Sequence, residues 1–152
     1  MRTTPETKEA TRGAGPRLEI RRNFESTPAR LFAAWTTAQS LTQWHAPGEL
    51  TVTLAEVDLR VGGRYRIHMQ EPGGGATHKV SGSYHVIEPP RKLVYTWQWE
   101  GDPVETEVTL EFIPRGTGTE MVLIQTGFAD DAARGHHEKG WTAIMERLAR
   151  HY

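Results

Sequence analysis

From Thr51 to Phe128 apolar and polar residues alternate in successive runs, and after Asp130 the alternation gives way to helical spacing. Alternation of period two places every second side chain on one face, which commits this stretch to strands. The runs fall at 51–59, 61–70, 77–88, 92–100, 103–113 and 119–128. Between them stand turn formers: Val61-Gly62-Gly63, Pro72-Gly73-Gly74-Gly75, Pro89-Pro90-Arg91, Gly101-Asp102-Pro103 and Pro114 to Gly118. Connections this short join antiparallel neighbours. Beyond Asp130, Trp141, Ile144, Met145 and Leu148 form one apolar stripe, with Glu138, Lys139, Glu146 and Arg150 mostly opposite. The chain therefore reads as one sheet and one long amphipathic helix, an α+β class in which the two one-sided elements cover each other.

Ahead of the sheet, Leu18, Ile20 and Phe24 share one parity and predict a first strand. Ser26-Thr27-Pro28 ends it and opens a helix, with Ser26 or Thr27 as cap and Pro28 in the first turn. Leu31, Phe32 and Trp35 follow at helical spacing, and Leu41 and Trp44 mark a second short helix that His45-Ala46-Pro47-Gly48 closes.

Each hairpin register is fixed by asking which pairing keeps apolar residues together. Met69 then pairs with His78, Ile67 with Val80 and Tyr65 with Gly82. The next hairpin pairs Tyr84 with Tyr95, Gly82 with Trp97 and Val80 with Trp99. The third pairs Trp99 with Val104, Trp97 with Thr106 and Tyr95 with Val108. The fourth pairs Val108 with Leu123, Thr106 with Gln125 and Leu110 with Met121. All four leave Arg64, Arg66, His68, Lys79, Ser81, Ser83, Gln98, Glu105, Glu107, Thr109 and Glu111 on the opposite, wet face.

The chain has 152 residues, a formal net charge of −1 and no cysteine. One domain, 18–152, is expected, preceded by a disordered leader, 1–17. The charge balance, with no basic run, predicts no nucleic-acid partner. The absence of any apolar stretch near ~20 residues predicts no membrane span, and the start carries no apolar signal core, so a cytoplasmic location is expected.

The expected inner face is chemically mixed. One row reads Tyr65, Gly82, Trp97, Thr106, Gln125, and Tyr84 and Tyr95 add hydroxyls that need partners when buried. Large aromatics, a glycine and a few neutral polar groups describe a lined cavity for a small hydrophobic molecule better than a dry core; the plainer alternative is a solid core in which the glycine marks a bulge and the tyrosine hydroxyls reach the rim. The sheet side would comprise Tyr65, Ile67, Met69, Val80, Tyr84, Tyr95, Trp97, Trp99, Thr106, Val108, Leu110, Leu123 and Gln125, with His78 at the rim. Trp44, Trp141, Met145 and Leu148 would close it, and Thr106 and Gln125 would orient a carbonyl or hydroxyl of the ligand. No acid or base other than a histidine or tyrosine faces inward, so catalysis would fall to His45, His78, His136, His137 or a tyrosine. His136 and His137 are adjacent and diverge on a helix, and no metal site and no cofactor is expected. Gly73-Gly74-Gly75 reads as a mobile hairpin tip beside the mouth.

Arg22-Asn23-Phe24-Glu25-Ser26-Thr27-Pro28, Phe32-x-x-Trp35, Trp44-x-x-Pro47 and Asp58-Leu59-Arg60-Val61-Gly62-Gly63-Arg64-Tyr65 form a series. Gly82-x-Tyr84, Pro90-x-x-Leu93-x-x-x-Trp97, Gly127-Phe128 and Gly140-Trp141 continue it. In order and spacing it resembles the SRPBCC (START-like) superfamily, and within it the branch named after the activator of the 90-kDa heat-shock protein ATPase. The resemblance implies a helix-grip, birch-pollen-allergen-like fold: a curved antiparallel sheet, two short helices after the first strand, and a long C-terminal helix over a central pocket. Relatives across that superfamily carry lipids, hormones or polyketides, and some are cyclases or hydroxylase subunits. The expectation is binding of a small, mostly apolar or aromatic ligand. A cyclase- or hydrolase-type enzyme using a pocket His and Tyr is the first alternative, and a chaperone-partner or stress-response module the second. The co-chaperone has a further N-terminal domain that 1–17 is too short to supply, which argues against a chaperone partner; a homodimer is compatible with the sequence.

Overall fold

The computed structural model describes residues 15–152. Most of the expected leader, 1–14, lies outside the described residues, and Arg17 already belongs to the first strand. That strand, β1 (Arg17–Phe24), buries Leu18 and Phe24. Helix α1 (Pro28–Thr36) starts where expected: the hydroxyl of Thr27 accepts the N–H of Arg30 at 3.2 Å. Pro28 occupies a first-turn position whose N–H would have had no helical partner. Leu31, Phe32 and Trp35 point into the core from α1, and Leu41 and Trp44 from α2 (Ala38–Trp44).

Six strands follow: β2 (Thr51–Val57), β3 (Arg64–Gln70), β4 (Thr77–Glu88), β5 (Lys92–Trp99), β6 (Thr106–Arg115) and β7 (Gly118–Thr126). They form one antiparallel sheet in the order β1-β7-β6-β5-β4-β3-β2. From β2 to β7 consecutive strands are neighbours, and β1 pairs with β7, from Leu18 opposite Gln125 to Phe24 opposite Thr119. The β3–β4 hairpin has the expected register, with Met69 opposite His78, Ile67 opposite Val80 and Tyr65 opposite Gly82. Tyr84 faces Tyr95, Val80 faces Trp99, and on the next pair Tyr95 faces Val108 and Trp97 faces Thr106.

Two pairings differ from expectation. Trp99 does not pair with Val104, because β6 begins only at Thr106. Asp102 takes over there: its carboxylate accepts the N–H of Val104 at 2.9 Å, its carbonyl accepts from Gln98 Nε2 at 2.9 Å, and Pro103 has no N–H to give a ladder. In the last hairpin Val108 faces Gln125, Leu110 faces Leu123 and Phe112 faces Met121, rather than Val108–Leu123, Thr106–Gln125 and Leu110–Met121. The tip sets this register: Gly116, at φ +58°, takes the left-handed turn position, so Arg115 pairs with Gly118. The shift preserves parity, so every side chain keeps its expected face.

Helix α3 (Asp131–His151) begins at Asp130, whose carboxylate accepts the N–H of Ala133 at 2.8 Å. Its stripe of Trp141, Ile144, Met145 and Leu148 is buried against the sheet. The C-terminal end is pinned where the N–H and hydroxyl of Ser26 donate to the main-chain oxygen of Tyr152 at 3.0 and 2.6 Å. Arg147 also reaches the carbonyls of Leu50 and Gly48, both at 2.9 Å. Among the described residues no helix is long and apolar enough to cross a membrane.

Gly82 has a role the sequence did not disclose. A Cβ there would stand 1.9 Å from the carbonyl oxygen of Thr96, which leans over Gly82 and accepts the Tyr65 hydroxyl at 2.6 Å. The bare backbone makes room for a neighbouring strand, not for a ligand. Gly82→Ala is expected to lower unfolding free energy by about 1–3 kcal/mol through forced repacking, read as a lower midpoint in urea denaturation. An unchanged midpoint would show that the Thr96 carbonyl moves aside freely.

Candidate binding site

The sheet and α3 do not meet evenly. Met145 and Leu148, in the second half of the helix, are sealed in the core with Leu110, Phe112 and Leu123. The first half stands off, and a cleft of about 450 Å³ opens beneath it. Ala133, His136, His137, Gly140, Trp141 and Ile144 form its helix wall, and Met69, His78, Trp97, Trp99 and Asp102 its sheet wall, with Pro47 and Leu50 between.

Of the residues expected at the site, Met69, His78, Trp97, Trp99 and Trp141 border this cleft. Tyr65, Ile67, Tyr84 and Tyr95 instead surround a much smaller void of about 10 Å³, together with Trp35, Leu41 and His45. Val108, Leu110, Leu123, Met145 and Leu148 border neither and are core, each at most 1% exposed. Val80 is buried under the same sheet, and Trp44 packs on Trp35 with ring centroids 4.6 Å apart.

Thr106 and Gln125 are buried too, and they bond each other. Gln125 Nε2 donates to the Thr106 hydroxyl at 2.8 Å, and that hydroxyl donates to the Trp97 carbonyl at 3.2 Å. Gln125 Oε1 accepts the indole N–H of Trp141 at 2.7 Å. These two polar side chains thus anchor the helix to the sheet, rather than facing the cleft as expected.

The cleft residues that sequence reasoning missed sit chiefly on α3. Ala133, His137 and Trp141 recur every four positions, so one helix face carries all three. His137 is fixed on both sides: its Nδ1–H donates to the Ala133 carbonyl at 2.8 Å, and its Nε2 accepts from Trp99 Nε1 at 2.9 Å. Because a carbonyl only accepts and an indole N–H only donates, the ring is the neutral Nδ1–H tautomer. Burial, partly opposed by the Ala133 carbonyl, pushes its pKa below the usual histidine value. At the rim, His78 pairs with Glu71 at 2.8 Å. The glycine run of the β3–β4 tip is a single 3-10 turn, Pro72–Gly74.

His45 lies deeper than expected. It is 1% exposed, with its ring 5.2–5.9 Å from those of Trp35, Trp44, Trp97 and Trp141. Burial lowers its pKa to about 4. Among the described residues no histidine ring hydrogen-bonds a tyrosine hydroxyl, and no three metal-ligating side chains cluster. Burial also raises the pKa of Tyr65, Tyr84 and Tyr95, so their hydroxyls stay protonated at neutral pH.

A second concavity of about 550 Å³ lies on the outer face, lined by residues that include Arg66, His68, Lys79, Ser81 and Gln98. It is larger, but its charges already neutralise one another: Arg66 bonds Glu56 at 2.9 Å and Lys79 meets Glu100 at 3.6 Å. The inner cleft has the apolar walls that a small-molecule site uses.

The model of the family described as Activator of Hsp90 ATPase homolog 1-like protein matches residues 25–152. Among solved structures, an AHSA1 protein from Silicibacter pomeroyi is 30% identical with a TM-score of 0.80, over 90% of this chain and 96% of its own. A protein from Chromobacterium violaceum shares the fold with a TM-score of 0.82 at 24% identity, over 88% of this chain and 94% of its own. An HSP90 activator from Plasmodium falciparum is 30% identical with a TM-score of 0.59, over 75% of this chain and 74% of its own. No curated protein matches the sequence.

The buried His45 makes stability depend on pH. Unfolded, the ring takes a proton near 6.5; folded, only near 4. The unfolded state therefore binds more protons between those values, so stability is full above pH 6.5 and falls as pH drops towards 4. The expected loss is about 3 kcal/mol from this group, measured as the fall in denaturant midpoint between pH 7.5 and pH 4. His45→Phe should flatten that dependence; an equally steep profile in the variant would assign it to other groups.

Proposed function

The chain belongs to the Activator of Hsp90 ATPase homolog 1-like family, and we propose that it binds a small, flat, mostly apolar or aromatic molecule in the cleft between the sheet and α3. One observation carries the reading: the helix stands off the sheet where aromatic and aliphatic side chains line both walls, from Met69, Trp97 and Trp99 to Trp141 and Ile144. The volume, about 450 Å³, is within the range of small-molecule sites. Among the described residues, the inner face around Val108, Leu110 and Leu123 is packed closed.

The second reading, an accessory to an Hsp90-type chaperone, is favoured by the likeness to the Plasmodium falciparum HSP90 activator. An interaction module would display a contiguous apolar patch of several hundred Å². Among the described residues the exposed large apolar side chains are Leu59 and Val61, both in the β2–β3 loop. Adding the protein to an Hsp90-type chaperone and following ATP hydrolysis separates the readings: stimulation supports the accessory role, and no change supports the cleft.

Gly140 offers a test of the cleft that spares the core. It borders the cleft, and a Cβ added there would meet nothing within 4 Å. The parent protein should raise the fluorescence of aminoanthracene, and Gly140→Phe should abolish that rise without loss of thermal stability, since replacing a mid-helix glycine gains up to ~1 kcal/mol. Undiminished probe binding by the variant would remove the cleft from the account.

A further inference from the structure

The five tryptophans divide by what their indole N–H groups meet. Trp99 donates to His137 and Trp141 to Gln125. Trp35, Trp44 and Trp97 donate to nothing among the described residues, although their Nε1 atoms are sealed from solvent. Nδ1 of His45 is likewise sealed and unpartnered. The rings that carry these four atoms form one cluster, with His45 at its centre: its ring centroid lies 5.9 Å from that of Trp35, 5.2 Å from Trp44 and 5.9 Å from Trp97. Native interiors pair their buried polar groups, so three indole donors brought together have a chemical preference, and it is for an acceptor.

The cluster adjoins the cleft. Trp97 and Trp141 border the cleft and also contact His45, with their own rings 4.9 Å apart. They differ in how they are held. Trp141 is tied through its N–H to Gln125, whereas the Trp97 indole has no hydrogen bond to break. Of the two, Trp97 is the ring that can turn aside. Beyond it lies the void of about 10 Å³ beside His45, Tyr84 and Tyr95, about the size that admits a single small polar group.

We propose that the ligand of the cleft carries one carbonyl-class hydrogen-bond acceptor on its flat apolar body, and that this end passes between Trp97 and Trp141 to the N–H groups around His45. The inference rests on the binding reading above and names its ligand class. The acceptor is a neutral carbonyl rather than a carboxylate, because no Lys or Arg borders the inner void and a buried anion without a cation is strongly disfavoured. An ester, ketone, amide or quinone satisfies the same donors.

Methyl naphthyl ketone and ethylnaphthalene have nearly the same shape and differ in the acceptor, so they isolate it. Calorimetry should give the ketone about tenfold tighter binding, the worth of one net hydrogen bond. Proton–nitrogen correlation spectra, with indole signals assigned from single Trp→Phe variants, should show the ketone moving the signal of Trp35, Trp44 or Trp97. The hydrocarbon should leave these three in place. Trp44→Phe, which removes a donor without touching the cleft wall, should reduce the ketone's advantage while retaining hydrocarbon binding, and Trp35→Phe serves as a second variant should that one fold poorly. Equal affinities of the two probes, both lost in Gly140→Phe, would overturn the acceptor inference and leave the cleft standing. Binding of neither probe would overturn both.

Discussion

The hydrogen bond from the Trp141 indole to Gln125 holds the architecture in its working form. It joins the middle of α3 to β7, and through Thr106 it continues to the carbonyl of Trp97 on β5. A buried amide left without its partner costs about 1–3 kcal/mol, so the helix is fixed by geometry as well as by greasy contact. From Met145 onward, α3 lies tight on the core. N-terminal to Met145, the helix rises over Trp97 and Trp99, and that departure is the cleft. The second tether, from Trp99 to His137, bridges the raised part and sets its height.

The sheet was largely legible because period-two alternation and a wet face leave few registers. A one-residue slip at Ile67 or Val80 would have turned Arg66 or Lys79 into the core, so the β3–β4 pairing was strongly determined. The last hairpin was less determined, since a parity-preserving shift keeps the same residues inside. Leu110 against Met121 and Leu110 against Leu123 are equally apolar choices; the Gly116 tip decides between them. The turn at Asp102 falls where the sequence places it, but the Trp99–Val104 pair does not form, because the Asp102 side chain takes the Val104 N–H that the alternation assigns to the ladder.

The candidate site was legible only in part. Inward parity identifies Tyr65, Met69, Trp97 and Leu123 alike, but whether each meets a cleft, a small void or dense core depends on the tilt of α3. No local pattern encodes that tilt. It follows from the distant bond between Trp141 and Gln125, whose two residues read separately as a helix stripe and a polar pocket wall. The repeat of Ala133, His137 and Trp141 at four-residue spacing is the signal for the helix wall, and the adjacency of His136 and His137 masks it. His45 ends a short helix, a place where a histidine usually stays wet, and no local pattern marks its burial. Here the preceding Trp35 and Trp44 fold over it.

The central claim is that the raised half of α3 shelters a small molecule. Native mass spectrometry of the purified protein tests this most directly. The account predicts a population heavier than the bare chain by the mass of a small organic compound, released when the protein is denatured in organic solvent. A protein that carries only its own mass, and that gains no adduct when mixed with neutral aromatic compounds, would contradict it.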